Sequence, residues 1–274
     1  MTTEVTTVTT KKTRRQPLRV FLTGASSGIG AALARHYAAQ GAELGLAARR
    51  SDLLNQLAEE LARTCGVRCH CYPLDVTDAP ALTAAAADFM AQAGVPDIVI
   101  ANAGISAGTL TEETEDIPAF ARVFNVNVMG MVHTFSPFAA PMHRAGRGRL
   151  VGIASVAGIR GLPGAGAYSA SKAAVLGYLE SLRVELRGSG VKVVTVAPGY
   201  IETPMTAVND YAMPFMLPVD VAVKRMARVI DAGKSFAVVP WQMGVVARIM
   251  RLLPNRLYDF LASKAGRKPR GLSL

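Results

Sequence analysis

The sequence predicts a single α/β domain built on a doubly wound parallel sheet of about seven strands, with helices on both faces. Short β-branched or apolar segments alternate along the chain with Ala-rich helical segments, which is the pattern of repeated strand–helix units. A glycine-rich turn follows the first apolar segment and opens the first helical one. The 274 residues, 50% hydrophobic and 18% charged, can bury a sizeable core and exclude a globally disordered chain.

The predicted strands and helices divide the chain into consecutive units. The predicted strands are Leu18–Leu22, Glu43–Ala47, Arg68–Tyr72, Ile98–Ala101, Arg149–Ile153, Val191–Val196 and Phe236–Val239. The helical segments cover residues 28–40, 52–64, 79–92, 119–144 and 167–187. Because strand–helix–strand crossovers join parallel strands, we predict one Rossmann-type domain over residues 17–240.

Almost all of the net positive charge lies at the two ends of the chain. Of the net charge of +10, residues 1–16 carry +3 and residues 241–274 carry +6, so the body is near neutral. This distribution argues against a nucleic-acid-binding surface, and we predict no nucleic-acid partner. Residues 1–16 lack the apolar core of a signal peptide and no uncharged run resembles a membrane span, so we predict a mobile basic tail and a cytoplasmic protein.

The three cysteines are too few for a disulfide scaffold, which favours a reducing compartment. They are Cys65, Cys69 and Cys71, with His70 between the last two. This spacing is too tight for a zinc site. Since side chains alternate along a strand, Cys69 and Cys71 would share one face, and we predict buried free cysteines and no metal.

The glycine-rich turn is the first candidate for a ligand site. Glycines let a backbone approach a pyrophosphate closely, and the helix that follows offers free N–H groups and the positive end of its dipole. The residues expected to hold the pyrophosphate are Gly24, Ser26, Ser27, Gly28, Ile29 and Gly30. A tight strand-to-helix turn without a ligand is the alternative, but the position after the first strand favours binding.

The spacing TGxxxGxG of this turn resembles the short-chain dehydrogenases/reductases. Other motifs of that family follow in the same order at the predicted strand ends: Asn102-Ala103-Gly104, Asn127, Ser155, Tyr168 with Lys172, Pro198-Gly199 and Thr203. The resemblance covers roughly residues 17–240. It implies an NAD(P)-dependent oxidoreductase whose ligands bind at the carboxyl ends of the strands.

Tyr168 and Lys172 are four residues apart and therefore share one face of a helix. An ammonium near a phenol lowers the phenol's pKa from about 10 and makes Tyr168 a general acid or base. The Ser155 hydroxyl could hold a substrate oxygen while charge develops on it. Taken singly, Tyr168 could be a packing aromatic, Lys172 a solvated helix residue, Ser155 a helix cap and Asn127 a turn or cap residue, but their combination favours catalysis.

The resemblance implies a role for each of these side chains. Tyr168 is similar to the residue that donates a proton to the carbonyl oxygen. Lys172 would bind the nicotinamide ribose and tune Tyr168, while Ser155 would orient the substrate carbonyl. Asn127 would hold a water molecule that links Lys172 to solvent.

The end of the second strand predicts which dinucleotide is used. Ala48 stands where NAD-dependent folds usually carry an Asp or Glu, and Arg49 and Arg50 follow it. Since an arginine suits a 2′-phosphate, we predict NADP(H), with Arg49 as the phosphate ligand. Solvated surface arginines and NAD(H) are the alternative.

Further cofactor contacts follow from the resemblance. Asp75 and Val76 match positions that help to bind the adenine, although Asp75 could also be a turn residue. The segment Asn102-Ala103-Gly104 matches the loop against the adenine ribose. Pro198, Gly199, Ile201 and Thr203 match the region that binds the nicotinamide carboxamide.

Two segments are expected to shape the substrate pocket. Residues 156–167 form a Gly- and Pro-rich loop, and residues 200–220 form a lid rich in Met, aromatic and Pro residues. The lid shows no cluster of Lys or Arg that would anchor a carboxylate or phosphate. An apolar carbonyl or alcohol is therefore the expected substrate class.

Residues 241–274 form a basic amphipathic C-terminal extension, in which Val245, Val246, Ile249, Met250 and Leu253 recur at helical spacing. The extension could cap the domain or pocket, pack in an oligomer interface, or lie on a membrane surface. We favour the first two readings over peripheral membrane contact. The resemblance implies a homodimer or homotetramer built on residues 119–144 and 167–187.

The sequence therefore predicts an NADPH-dependent oxidoreductase acting on a carbonyl/alcohol pair. The alternatives are a 3-oxoacyl-thioester reductase, whose acidic carrier partner would suit the basic ends, and a non-enzymatic NADP(H) sensor. Intact Ser155, Tyr168 and Lys172 argue against a sensor.

Overall fold

Seven parallel strands form one sheet, in the order β3-β2-β1-β4-β5-β6-β7, in the computed structural model, which describes residues 17–264 and 266–271. The strands are β1 (Arg19–Thr23), β2 (Glu43–Ala48), β3 (Cys69–Pro73), β4 (Ile98–Ala101), β5 (Gly148–Ile153), β6 (Val191–Pro198) and β7 (Phe236–Val239). The strand order reverses between β1 and β4, where doubly wound sheets open a ligand crevice. The predicted fold class is confirmed. The predicted mobile tail, residues 1–16, lies outside the described residues.

Helices cover both faces of the sheet. They are α1 (Gly28–Ala38), α2 (Ser51–Cys65), α3 (Ala79–Ala93), α4 (Ile117–Phe124), α5 (Gly130–Ala145), α6 (Gly166–Glu185), α7 (Pro204–Ala207), α8 (Val219–Asp231), α9 (Trp241–Leu252) and α10 (Asn255–Ala262). On one face α1 and α2 bury Leu33 and Leu54, together with α8, which was not placed from the sequence. On the other face α3 and α6 bury Phe89 and Leu179, together with α5. Two apolar cores thus hold the strand ends in fixed positions.

The helix predicted over residues 119–144 is not α-helical throughout. The structure has α4, a π-helical turn at Asn125–Met129, and then α5. The turn contains Asn127, whose buried side chain bonds to neighbouring segments. A π-turn adds one residue to a helical path without breaking it, so the apolar periodicity does not reveal it.

The prediction of buried cysteines is only partly correct. Cys65 ends α2 and is exposed, while Cys69 and Cys71 are half-buried because β3 is an edge strand. The predicted alternation is confirmed: both β3 cysteines pack on the α2 side, and His70 packs edge-on against Phe89 on the other side. Burial raises the pKa of the Cys69 thiol to about 11, so this thiol stays protonated at neutral pH.

The C-terminal extension begins directly after β7. Met243, Gly244 and Ala247 of α9 are buried against the domain, and α10 follows after Pro254. Within residues 17–264 and 266–271, no helix is both long enough and apolar enough to cross a bilayer.

Candidate active site

A crevice opens at the carboxyl ends of the strands around the switch point between β1 and β4. Its walls contain most of the residues predicted for the site: Gly24, Ser26, Ser27, Gly28, Ile29, Arg49, Asp75, Val76, Asn102, Ala103, Gly104, Ser155, Tyr168, Lys172, Pro198, Gly199, Ile201 and Thr203. Gly30 and Asn127 are buried and do not line it. Arg50 and Met205 line it without having been predicted as ligands.

The glycine-rich turn has a backbone that other residues rarely adopt. Gly24 and Gly28 have φ values of +67° and +53°. A Cβ on Gly30 would collide with the Gly24 carbonyl oxygen, so this position must be small for α1 to begin beneath the turn. The first turn of α1 holds no acidic residue, and the Ser27 side chain does not cap it. The N–H groups at this helix end can therefore receive an anion, and a pyrophosphate fits the cradle.

Asn102 braces the turn from the neighbouring strand end. Its Nδ2 donates to the carbonyl oxygens of Thr23 and Gly24, at 3.2 Å each. The Asn102 backbone N–H donates to Thr23 Oγ1 at 3.2 Å. A Cβ on Gly24 would lie 2.8 Å from the Ala103 Cα, so the two loops touch directly. Asn102 and Ala103 thus set the shape of the crevice floor.

Two consecutive arginines stand at the end of β2. Arg50 Nη2 donates to Ser26 Oγ at 3.0 Å and to Ser27 Oγ at 2.6 Å, which joins it to the glycine-rich turn. Arg49 lines the same end of the crevice. The sequence placed both arginines here, but it could not show that Arg50 is the one that reaches the turn.

Asp75 follows β3 and holds its own loop. Its Oδ1 accepts hydrogen bonds from the Thr77 backbone N–H at 3.0 Å and hydroxyl at 2.9 Å, and Arg49 Nη1 lies 3.8 Å from Oδ2. Burial alone would raise the pKa of Asp75, but the Thr77 hydrogen bonds and the nearby Arg49 outweigh burial, and the net pKa is lowered. Asp75 is therefore an ionised carboxylate beside Arg49.

Tyr168, Lys172 and Ser155 meet at the other end of the crevice. Lys172 Nζ lies 5.8 Å from the centre of the Tyr168 ring and donates to the Ile153 carbonyl oxygen at 2.9 Å. Ser155 follows β5, and its Oγ accepts from the Ala157 N–H at 3.1 Å, which caps a short turn. The Ser155 hydroxyl also faces the Tyr168 phenol and acts to lower its pKa. The capping and the catalytic readings of Ser155 are thus compatible.

The expected lowering of the Tyr168 pKa by Lys172 is wrong for this geometry. Burial raises the pKa of the Tyr168 phenol, and the nearby Ser155 hydroxyl only partly offsets this effect. Burial also lowers the pKa of Lys172 to about 8. Both shifts have the same cause, since a water-poor site disfavours the charged form of each group. At neutral pH Tyr168 therefore holds its proton and Lys172 is still mostly charged.

Asn127 lies next to this group and ties two segments together. Its Oδ1 accepts from the Ile105 N–H at 2.8 Å, and its Nδ2 donates to the Ile105 carbonyl oxygen and to Ser171 Oγ, at 3.0 Å each. A Cβ on Gly104 would lie 3.2 Å from Asn127 Oδ1 and 3.6 Å from Lys172 Nζ. The loop after β4 therefore passes close to both side chains, and Gly104 leaves room for that approach.

The predicted lid is closed at its base by backbone pairing. The Leu217 N–H donates to the Tyr200 carbonyl oxygen at 3.1 Å, and Glu202 N–H donates to the Leu217 carbonyl oxygen at 2.9 Å. Thr203 and Thr206 form a capping box at the start of α7. Thr203 therefore stands at the crevice on a fixed turn, while the lid beyond it carries exposed apolar side chains.

The C-terminal segment, residues 266–271, lies across the loop after β4 and the lid; capping of the domain or pocket was one of the readings left open for the extension. The Pro269 carbonyl oxygen accepts from the Gly108 N–H at 3.0 Å. Lys268 Nζ donates to the Met205 carbonyl oxygen at 3.2 Å, and Arg270 Nε donates to Asp116 Oδ2 at 2.8 Å. The segment thus joins the loop after β4 to the lid.

This segment also changes the charge expected on the substrate side. The lid itself holds no cluster of Lys or Arg, as expected, but the C-terminal segment brings Arg267, Lys268 and Arg270 to the neighbouring loops. Arg270 is paired with Asp116 and, at 3.0 Å, with Glu113. Glu113 and Asp116 in the loop after β4 were the available sequence signal for a nearby cation. Their partner, Arg270, lies more than 150 residues away in the chain.

Comparison with known proteins shows the family. The family model "short chain dehydrogenase" matches residues 19–212. The chain belongs to the short-chain dehydrogenase/reductase family. An uncharacterised oxidoreductase of Myxococcus xanthus (strain DK1622) is 40% identical over 244 residues, which are 89% of this chain and 96% of that protein.

Solved short-chain dehydrogenases share its architecture. An enzyme from Sphingobium yanoikuyae in complex with NADPH has a TM-score of 0.74 and 28% identity, covering 87% of this chain and 97% of that one. An enzyme from Burkholderia phymatum in complex with NAD has a TM-score of 0.78 and 25% identity, covering 94% and 99%. This protein is thus an oxidoreductase of the family, and a nicotinamide cofactor is supported. The choice between NADP and NAD differs among its relatives.

Proposed function

We propose that this short-chain dehydrogenase interconverts the carbonyl and alcohol forms of an apolar small molecule with NADP(H), using Tyr168 as general acid or base. The observation that best supports this proposal is the meeting of Ser155, Tyr168 and Lys172 at one end of a crevice. The other end of that crevice is the glycine-rich turn. The bound nicotinamide supplies or accepts the hydride.

Each catalytic side chain has a task that suits its surroundings. The Tyr168 phenol keeps its proton at neutral pH, which suits a donor to a carbonyl oxygen during reduction. The Ser155 hydroxyl orients the same oxygen and stabilises the charge that develops on it. The Lys172 ammonium, which lies 5.8 Å from the centre of the Tyr168 ring, would hold the ribose hydroxyls of the bound nicotinamide. Asn127 positions the loop after β4 and supports a solvent link to Lys172.

The end of β2 supports NADP(H) over NAD(H). Ala48 is nearly fully buried and offers no carboxylate to a ribose 2′-hydroxyl. Arg49 and Arg50 present two guanidinium groups at the same end of the crevice, and Arg50 is held there by Ser26 and Ser27. A 2′-phosphate would accept charge-assisted hydrogen bonds from both arginines.

The remaining cofactor contacts are proposed from their positions around the crevice. The pyrophosphate would lie on the turn from Gly24 to Gly30, and the adenine near Asp75 and Val76. The adenine ribose would lie near Asn102, Ala103 and Gly104. The carboxamide would lie near Pro198, Gly199, Ile201 and Thr203.

An apolar substrate is supported by the lid. Met205, Phe215 and Met216 are 39%, 51% and 38% exposed, so the lid offers apolar surface to a ligand. Two of the three cations nearby are already engaged: Arg270 by two carboxylates, and Lys268 by the Met205 carbonyl oxygen and Asn209 Oδ1. These two therefore offer little to a substrate carboxylate or phosphate.

Self-association is supported by the outer surfaces of α4 and α6. Ile117 is 63% exposed, Phe120 38%, and Val184 61%. Phe120 also stacks on Phe124, with ring centres 5.3 Å apart. We infer a homodimer or homotetramer through these helices, which light scattering coupled to size exclusion would test. Replacing Ile117 and Phe120 by Ser should reduce the assembled mass, and an unchanged mass would exclude this interface.

The test of the proposed reaction is a substrate panel followed by NADPH absorbance. The panel contains ketosteroids, quinones, aliphatic ketones and aldehydes, and acetoacetyl thioesters, with NADH run in parallel. We expect turnover of an apolar carbonyl that prefers NADPH and is lost in Tyr168→Phe. Turnover of the thioester alone would favour the 3-oxoacyl reductase, and tight NADPH binding with no turnover would favour the sensor. Absence of NADPH binding would contradict the proposal.

A further inference from the structure

Helix α9 carries an apolar face that nothing in the described chain covers. Trp241, Val245, Ile249 and Leu252 are 68%, 44%, 55% and 84% exposed. Their spacing of four, four and three residues places them on one side of the helix. The opposite side is already used, because Met243 packs beneath it against Gly199. The outward-facing apolar residues are therefore not needed to hold α9 on the domain.

Helix α10 continues this apolar surface. Leu257, Phe260 and Leu261 are 46%, 60% and 52% exposed. Phe260 and Leu261 follow Leu257 by three and four residues, which again places the three side chains on one side of the helix. No residue of α10 is buried. Two polar side chains connect α10 to the domain: the Tyr258 hydroxyl donates to the Gly161 carbonyl oxygen, and Asn255 Oδ1 accepts from Arg160 Nη2 at 3.1 Å. We name the exposed apolar residues of both helices the C-terminal face.

The C-terminal face is bordered by positive charge. Arg248, Arg251, Arg256 and Lys264 are exposed, and no ion pair among the described residues includes any of them. Asp259 is the only acidic residue in 241–264, so this segment carries a net charge of +3. An apolar surface with a cationic border has the complementarity of an anionic lipid headgroup layer.

A second copy of this chain suits the C-terminal face less well. A two-fold contact brings the same patch of both subunits together. It would place two segments of charge +3 against each other, and like charges oppose such contacts. An anionic lipid surface instead neutralises the border while it covers the apolar side chains.

We propose that the C-terminal face docks this enzyme on the anionic surface of a lipid bilayer. Arg160 Nη1 donates to the carbonyl oxygens of Met250, Arg251 and Leu253 at 2.8, 3.0 and 3.0 Å. It thereby fastens α9 to the loop between Ser155 and Tyr168. A docked molecule would present its substrate side close to the bilayer. The docking itself does not depend on the proposed reaction.

The test uses the full-length protein, sucrose-loaded vesicles and Trp241, which is the only tryptophan of the chain. Vesicles of phosphatidylcholine alone are compared with vesicles that also contain phosphatidylglycerol, at low and high salt. We expect co-sedimentation with the anionic vesicles and a blue shift of Trp241 emission as its ring leaves water. Protein that stays in the supernatant with anionic vesicles at low salt would overturn the proposal.

Variants separate the C-terminal face from unspecific attraction to the basic ends. Leu252→Ser with Phe260→Ser should abolish the emission shift and most of the binding. Arg248→Gln with Arg251→Gln should weaken binding about 25-fold, at roughly fivefold for each charge lost at an anionic surface. The matched control is Lys224→Gln with Arg225→Gln, two exposed cations on α8, and it should bind as the wild type does.

Two outcomes would contradict docking by this face. Binding that survives Leu252→Ser with Phe260→Ser would assign the lipid contact to the charged ends instead. An emission shift that appears without lipid and grows with protein concentration would assign the face to self-association. Thermal unfolding of each variant checks that the fold is intact, and the charge pair remains informative if the apolar pair unfolds.

Discussion

The two ends of the crevice are built in different ways. The cofactor end consists of short turns that directly follow β1, β2 and β4, and its contacts join neighbouring strand ends, as Asn102 does with Thr23 and Gly24. The substrate end consists of loops held by a segment from the far end of the chain, as Arg270 holds Asp116. Tyr168, the proposed general acid or base, lies at the end of the crevice opposite the glycine-rich turn. The first end is fixed by the sheet, whereas the second depends on contacts between distant segments.

This difference separates binding of the cofactor from selection of the substrate. Changes at the strand ends should alter dinucleotide affinity, because the backbone there cannot move without moving the sheet. Changes in the C-terminal segment should alter substrate affinity and leave the dinucleotide in place. Each of the following predictions tests whether the two ends act separately, beginning with Tyr168.

Replacing Tyr168 by Phe should reduce kcat about a thousandfold, within the range for loss of a general acid. NADPH affinity, measured by fluorescence titration, should change little because the ring remains. Tyr178→Phe is the matched control, since Tyr178 lies on the same helix, α6, and does not line the crevice. A variant that keeps its kcat would show that the proton comes from another group.

Replacing Gly30 by Ala should weaken NADPH binding about a hundredfold, since overpacking costs up to about 3 kcal/mol. The added methyl group would collide with the Gly24 carbonyl oxygen and crowd Asn102. Gly161→Ala is the control at the substrate end, where a Cβ would meet nothing within 4 Å, and it should change stability by less than about 0.5 kcal/mol. Titration and thermal unfolding measure both effects. Equal losses of NADPH affinity in the two variants would show that the two ends of the crevice do not differ in this respect.

Much of the cofactor end could be predicted from the sequence because its signals are local. The turn from Gly24 to Gly30 and the Tyr168–Lys172 spacing each lie within a few residues. Either Arg49 or Arg50 could reach the glycine-rich turn, depending on the path of one short loop. That path cannot be predicted from the residues of the loop. Capping of the domain or pocket was one reading of the C-terminal extension, but the contacts of residues 266–271 could not be placed, because their partners lie far away in the chain and carry no periodic pattern.

Replacing Arg50 by Met should reduce the preference for NADPH over NADH about thirtyfold, as expected for loss of a charge-assisted bond to a phosphate. The ratio of kcat/KM for the two cofactors measures this preference. Arg63→Met, at an exposed position on α2 outside the crevice, is the control. An unchanged ratio in Arg50→Met together with a changed ratio in Arg49→Met would assign the phosphate contact to Arg49 alone.

The rate of carbonyl reduction should fall as pH rises through about 8. Burial lowers the pKa of Lys172 to about 8, so its ammonium is lost above that pH, while the Tyr168 phenol stays protonated because burial raises its pKa. The charged fraction of Lys172 falls about tenfold between pH 7 and 9, and kcat/KM should follow it. Lys172→Arg keeps its charge over this range and should flatten the profile, even if its absolute rate is low. A flat pH profile in the wild type would show that the rate does not depend on the charge of Lys172.

The smallest expected effect is at the C-terminal segment. Replacing Arg270 by Met removes the ion pairs with Asp116 and Glu113, which are partly exposed, so KM for the substrate should rise by no more than about fivefold. kcat and NADPH affinity should stay unchanged, because the segment touches the substrate loops and does not line the cofactor end. Arg187→Met, an exposed cation just beyond α6, is the control. Asp116→Asn should reproduce the effect from the other side of the pair, and adding salt should diminish it in the wild type. A loss of NADPH affinity in Arg270→Met would show that the segment orders the lid over both ligands, and the crevice would then behave as one unit.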